Sequence, residues 1–289
     1  MGAPLAVILI SHGMAEHIDR YDRLGKHLTA RGYLVAGYNH LGHGAEAPIK
    51  GWYAEQDGWG HAVEDLHQVM SWLQAQYPSI PHILLGHSMG SFLSREFVLR
   101  HPDSLDALVL CGTGWYPKQL AKAGLLPAKI LCALGREKKK SKFLDTLAFS
   151  SNNKPFKKKD GLVYDWLSRD KAEVQKYADD PLCGFVFTAG GFRDLFNGLV
   201  ALSDVNRLKR LPKDLPVHII SGDMDPVGGM GEGVRTVRDQ YKDAGLTDVS
   251  MVLYEGGRHE IFNETNRNEV MDELADWLDA LVSSRERSV

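Results

Sequence analysis

Six short apolar or β-branched runs, separated by stretches with helical spacing, constrain this chain more than any other feature. Residues 5–10 (LAVILI), 34–38, 83–85, 107–111, 217–220 and 250–254 are such runs. Continuous apolarity, rather than alternation, suits strands buried on both faces of a parallel sheet. Between them, residues 20–30, 62–76, 92–100, 233–244 and 269–282 carry apolar side chains at helical spacing. In the last stretch Val270, Leu274, Trp277, Leu278 and Leu281 mark one face. Strands alternating with helices of this length predict a doubly wound, mostly parallel α/β sheet.

One interval breaks the alternation. No convincing strand lies between residues 115 and 207, which hold helix-like stretches, proline and glycine breaks and a dense basic stretch. Over residues 136–159 nine basic side chains (Arg136, Lys138, Lys139, Lys140, Lys142, Lys154, Lys157, Lys158 and Lys159) face two acidic ones, Glu137 and Asp145. An insertion of this length is expected to be a functional, mainly helical cap or lid. The expected division is therefore a core of residues 1–114 and 208–289, with a cap of residues 115–207. Taken whole, the chain is nearly balanced, with a net charge of −3, so nucleic acid is not an expected partner. Cys111, Cys132 and Cys183 lie far apart without a CxxC pattern, which predicts reduced, buried thiols rather than a disulfide framework or a zinc ribbon. The first apolar run lacks a basic leader and a cleavage site, and no run approaches the length of a membrane span. A cytoplasmic enzyme is the expectation.

Gly86-His87-Ser88-Met89-Gly90 is a G-x-S-x-G match placed between the strand HILL and the helical run FLSREFVL. The pentapeptide alone is a weak signal, and a glycine-rich turn with an incidental serine is its bland alternative. The context is what gives it weight. A sharp strand-to-helix turn lifts the serine hydroxyl above the sheet, and flanking glycines relieve the crowding. Serine attacks carbonyl carbon only when a base takes its proton and an acid orients that base. The chain order on such a sheet is Ser, then Asp or Glu, then His. His259, after the strand SMVLY, is the candidate base. The acid is open between Asp223 and Asp225, both after the strand VHII. Asp225, which precedes Pro226, is preferred, since Asp223 suits a turn-fixing role. Two backbone amides should receive the developing oxyanion. Met89 follows the nucleophile, and Met14 sits in Ser11-His12-Gly13-Met14, directly after the first strand.

These residues resemble the monoacylglycerol lipase and lysophospholipase group of α/β-hydrolases, related to the serine aminopeptidase-like hydrolases. Ser11-His12-Gly13-Met14-Ala15-Glu16-His17 with Arg20-Tyr21 is similar to the group's oxyanion loop, and Asn39-His40-Leu41-Gly42-His43-Gly44 to its next loop. Leu167-Ser168-Arg169-Asp170, Val174, Tyr177 and Asp179-Asp180-Pro181-Leu182 resemble its cap, and Tyr254-Glu255-Gly256 with His259 and Glu264 its histidine loop. The resemblance implies Ser88 as nucleophile, Asp225 as acid, His259 as base, and Met14 and Met89 as oxyanion donors. It implies an esterase acting on a small lipid-like ester such as a monoacylglycerol, without cofactor. Epoxide hydrolase and dehalogenase chemistry is disfavoured, because those hydrolases carry Asp where Ser88 stands.

Rival readings on the same triad are lysophospholipase, thioesterase and peptidase. A rival of another class is a non-catalytic binding protein on a hydrolase scaffold. The basic run, with Leu125, Leu126, Ile130, Leu131 and Leu134 before it, would let the cap touch anionic lipid surfaces transiently; a solvated lid face is the alternative. His40 and His43 lack a third ligand, so no metal site is expected. The group normally carries a β-hairpin ahead of the oxyanion strand, for which residues 1–4 leave no room. The expected sheet therefore has about six parallel strands, with residues 34–38 at an edge covered by loops or by a second chain of a homodimer.

Overall fold

A computed structural model of the chain describes residues 3–156 and 161–286. Lys157, Lys158 and Lys159 of the basic stretch lie outside the described residues. Six strands form one sheet: β1 (Val7–Ser11), β2 (Leu34–Gly37), β3 (His82–His87), β4 (Ala107–Cys111), β5 (Val217–Gly222) and β6 (Val249–Tyr254). Their order is β2-β1-β3-β4-β5-β6, and every pairing is parallel. This is the α/β architecture read from the sequence, with β2 at an edge as expected.

The continuous apolar runs are explained by two cores, one on each face. Side chains of β1 alternate between them: Val7 and Leu9 enter one core, Ile8 and Ile10 the other. The first core is closed by α2 (Gly58–Gln76), α3 (Met89–Arg100) and α8 (Glu232–Asp243) through Leu66, Phe97 and Val237. The second is closed by α1 (Asp22–Ala30) and α9 (Arg267–Glu286) through Leu24, Leu28, Leu274 and Leu278. Each fully buried aliphatic side chain contributes about 1.5–3 kcal/mol relative to exposure. Two boundaries differ from the periodicity. Residues 18–21 form a 3-10 turn, so α1 starts after them, while α2 starts at Gly58 because the Asp57 carboxylate caps the amide of Gly60.

Between β4 and β5 the chain runs through α4 (Lys118–Ala133), α5 (Lys142–Phe149), α6 (Lys171–Asp179) and α7 (Ala189–Leu202). The only extended pairing described there is an isolated bridge between Lys140 and Thr188. Helix α7 is rooted in the first core through Phe192, Leu195, Phe196 and Leu199. At Gly198 and Gly124 any side chain would collide with Trp59 and Phe196, so glycine is what lets α7 approach α2 and α4. The three cysteines are free. Cys111 and Cys183 are buried, but Cys132 on α4 is only half-buried, contrary to the expectation of three buried thiols. No helix among the described residues is long and apolar enough to cross a membrane.

Candidate active site

The G-x-S-x-G segment forms the turn from β3 into α3. Ser88 has φ 53° and ψ −120°, a backbone region that costs a non-glycine residue about 1–3 kcal/mol. Its flanking glycines are sterically obligatory. A Cβ on Gly90 would overlap the carbonyl oxygens of Ser11 and His12, and one on Gly86 would overlap Ser94 and the Gly90 carbonyl. The turn therefore wedges between β1 and α3, holding the serine over the carboxyl ends of the strands.

His259, in the loop after β6, places Nε2 2.8 Å from Ser88 Oγ. Its Nδ1 lies 2.9 Å from Asp225 Oδ2. Asp225 is wholly buried and receives further hydrogen bonds from the Val227 amide and the Ser221 hydroxyl. Asp223 instead accepts the Gly256 amide at 2.7 Å, tying its own loop to the histidine loop. Hydroxyl, imidazole and carboxylate thus form one unbroken relay, and of the two aspartates only Asp225 belongs to it.

The loop after β1 lies against the serine: a Cβ on Gly13 would come within 3.2 Å of Ser88 Cβ. Met14 and Met89 line the same cavity as Ser88 and His259, and among the described hydrogen bonds none uses either amide. Three buried imidazoles shape this loop. His12 hydrogen-bonds the Gly13 carbonyl through Nδ1 and accepts the His40 amide at Nε2. His43 bonds the Leu41 carbonyl through Nδ1 and accepts the Ala15 amide. His40 meets Ser11 Oγ at 3.0 Å. Burial pushes His12 down to about 4, His43 down to about 3, and His40 well below the usual imidazole range. All three are neutral near pH 7, and each single N–H is used to hold backbone or hydroxyl.

Beneath the serine lies an ionic cluster whose roles the sequence did not disclose. Glu16 accepts the Gly13 amide, the Tyr21 hydroxyl and Arg20, while Arg20 also forks onto both oxygens of Glu260. Burial pushes the Glu16 carboxyl up, but Arg20 and His87 outweigh it and hold it well below the carboxylate range. Burial likewise pulls His87 down, yet its hydrogen bond to Glu16 and the charge of Glu16 raise it overall. His87 Nε2 lies 3.2 Å from the His259 carbonyl oxygen, so this charged cluster braces the histidine loop from below. From above, the segment before α6 grips the same loop. Glu260 donates its amide to Leu167, Arg258 donates to Asp165 and Ser168, and Glu264 receives Arg169 and the Arg258 amide. The Trp166 ring lies 4.9 Å from that of His259.

The relay opens into a cavity of about 860 Å³ between the sheet and helices α4 to α7. Its walls include Phe92, Leu120, Leu147, Phe185, Phe196 and Leu199, a mainly apolar lining suited to an alkyl chain.

The sequence pattern of the family described as serine aminopeptidase, S33, matches residues 2–266. The chain belongs to this family. Within reach of the S33 chain are curated proteins that share its length. It is 28% identical to a monoacylglycerol lipase of Mycolicibacterium smegmatis over 278 residues, covering 95% of this chain and 88% of the relative. It is 29% identical to the Homo sapiens monoglyceride lipase, covering 96% and 83%. Among solved structures, a highly thermostable carboxyl esterase from Bacillus coagulans in complex with glycerol superposes with a TM-score of 0.90 at 27% identity, covering 98% of this chain and 92% of the other. A Paleococcus ferrophilus monoacylglycerol lipase shares the fold, with a TM-score of 0.74 at 22% identity and coverage of 98% and 96%. Ser88, Asp225 and His259, and the bracing residues Glu16, Arg20, His87 and Glu260, all lie within the matched residues.

Proposed function

We propose that the chain is a serine hydrolase of carboxylic esters, acting on monoacylglycerols or similar single-chain lipid esters. The observation that carries this reading is the Asp225–His259–Ser88 relay opening into the apolar cavity. His259, held by Asp225, takes the Ser88 proton as Oγ attacks the ester carbonyl. The oxyanion forms against the Met14 and Met89 amides, and the alcohol leaves with the proton from His259. Water, deprotonated by His259, then releases the acid. The substrate class rests on the similarity to monoacylglycerol lipases and to an esterase crystallised with glycerol. Residues 115–207 serve as the cap. Leu126, Ile130, Leu134, Phe143 and Leu147 are exposed on it, next to Lys138, Lys139, Lys140 and Lys142, which supports contact with lipid aggregates that present the substrate.

The test is a panel of hydrolysis rates with purified protein. Monoacylglycerols of increasing chain length should be cleaved fastest, ahead of diacylglycerols, lysophospholipids, acyl thioesters and aminoacyl arylamides. A preference for any of the last three would replace the substrate class. No turnover on the entire panel would favour a binding protein on a hydrolase scaffold.

A further inference from the structure

Three side chains of metal-binding type meet where the cap rests on the loop after β1. His17, in that loop, places Nε2 2.9 Å from Oδ2 of Asp180, which lies between α6 and α7. Cys183 Sγ completes the group, and the three donor atoms all lie within 4.8 Å of one another. His17 and Cys183 are each 8% exposed, and the Cys183 thiol is free, with no hydrogen bond to its sulfur among the described residues. The Asp180 side chain is 28% exposed, which gives an ion a way in from solvent. Donors at this spacing enclose an ion bound at about 2.0–2.3 Å from each, once the His17–Asp180 contact opens by roughly half an ångström.

Backbone contacts hold these donors in place. Asp180 Oδ1 accepts the Leu182 amide at 2.7 Å, which fixes the carboxylate and leaves Oδ2 facing His17. The Cys183 amide donates to the Asp180 carbonyl at 3.0 Å, a turn that brings the thiol back beside the carboxylate. The Gly184 amide and the Tyr177 hydroxyl both donate to the Ala15 carbonyl, at 2.9 and 3.0 Å, and so fasten this segment to the loop carrying His17. The nearby cation, Arg20, is already paired with Glu16 and Glu260.

The second nitrogen of His17 points the same way. Its Nδ1 is buried without a hydrogen bond and lies 3.5 Å from Asp19 Oδ2. A neutral imidazole has one N–H and cannot serve Asp180 and Asp19 together. Only a doubly protonated ring or a metal-bound one suits both sides. The unpartnered thiol decides between them, since it adds nothing to an imidazolium but as a thiolate is a strong zinc ligand. With a metal on Nε2, the ring keeps its proton on Nδ1, turned to the Asp19 carboxylate, as metal-bound histidines commonly do.

We propose that His17, Asp180 and Cys183 bind one zinc ion, with water in the fourth, tetrahedral position. Binding releases the Cys183 thiol proton to solvent; thiolate, carboxylate and imidazole each donate a lone pair, and no electron is transferred. The ion fastens the segment between α6 and α7 to the loop after β1, whose residues Gly13, Met14 and Ala15 line the substrate cavity. The site stands apart from Ser88 and holds whether or not the chain hydrolyses esters.

The experiment is titration of the chelator-stripped full chain with cobalt(II) and then zinc(II). Cobalt should give a thiolate-to-metal charge-transfer absorption in the near ultraviolet at one ion per chain, abolished when zinc displaces it. Zinc at a hundredfold excess over its dissociation constant should raise Tm by about 4–5 °C. Among the described residues one other group, Glu64, His67 and His101, has donors close enough for a metal, and it contains no thiol. Cys183→Ser should therefore lose the absorption band, His17→Asn should lose most of the Tm rise, and His101→Asn should change neither. Should His17→Asn fail to fold, the near-isosteric Cys183→Ser carries the test. No charge-transfer band, a band that persists in Cys183→Ser, or a Tm rise lost only in His101→Asn would each overturn the site.

Discussion

Asp223 and Asp225 stand two residues apart and are held by different partners. The hydrogen bond that His259 Nδ1–H donates to Asp225 keeps the ring's proton on Nδ1 and turns the Nε2 lone pair to Ser88. Asp225→Asn should lower kcat about 10⁴-fold with little change in KM, because the wrong tautomer is favoured. Asp223→Asn removes the charge but keeps an oxygen that accepts the Gly256 amide, and should cost less than about tenfold, a contrast that steady-state kinetics on one ester would read directly. The sequence preferred Asp225 without excluding Asp223, because each follows β5 on the same sheet edge; their partners in space differ. Glu16, Arg20 and Glu260 were illegible for the same reason. Nothing local in Glu16 announces that Arg20, Tyr21 and His87 converge on it, or that Arg20 spans to Glu260. Glu16→Gln should leave the loop with a poorly matched acceptor for Arg20, lowering kcat more than it raises KM.

At the scale of elements, the turn between β3 and α3 and the helices above the sheet differ in how much the chain revealed. The turn was readable because glycine spacing, strand and helix coincide within a dozen residues. Its rigidity has a testable consequence: Gly90→Ala must push the Ser11 and His12 carbonyls aside, and should destabilise the protein by about 3 kcal/mol or more in urea unfolding. The insertion was visible as an interval without strands, but not the rooting of α7 in the core, since that depends on Gly198 meeting Trp59. Nor did the hydrophobic pattern foretell the grip of residues 165–169 on the histidine loop, which consists of backbone and arginine contacts. The exposed face of α4 should matter only for aggregated substrate. Leu126→Ser with Ile130→Ser should reduce hydrolysis of monoacylglycerol in vesicles several-fold while leaving a short, soluble ester unaffected, as paired rate assays would show.

For the whole molecule, the same burial that shapes the oxyanion loop sets a pH limit. His12, His40, His43 and His218 are neutral in the fold, with His12 and His218 pushed down to about 4 and His43 to about 3 by burial. Unfolding frees each ring to titrate near 6.5, so the unfolded chain takes up protons first as pH falls. Stability is therefore lost from about 6.5 down toward 4, by about 2 kcal/mol per ring at pH 5. Glu16, held low, keeps its contribution until far more acid conditions, and His87, held high, loses its own only as pH rises. Tm should fall steeply below pH 6.5, and His218→Phe, which keeps a ring against Trp277, should flatten that slope by one proton. The doubly wound sheet itself was legible because its four inner strands, β1, β3, β4 and β5, are buried on two faces and so read as unbroken apolar runs. The proposed role of Ser88 is that of nucleophile in an ester hydrolase. The most direct measurement is stoichiometric labelling with a fluorophosphonate, followed by peptide mass spectrometry and residual ester hydrolysis. One phosphonyl group on Ser88 with proportional loss of hydrolysis, and no labelling of Ser88→Ala, is the predicted result. Hydrolysis that survives full labelling, or equal labelling of Ser88→Ala, would contradict it.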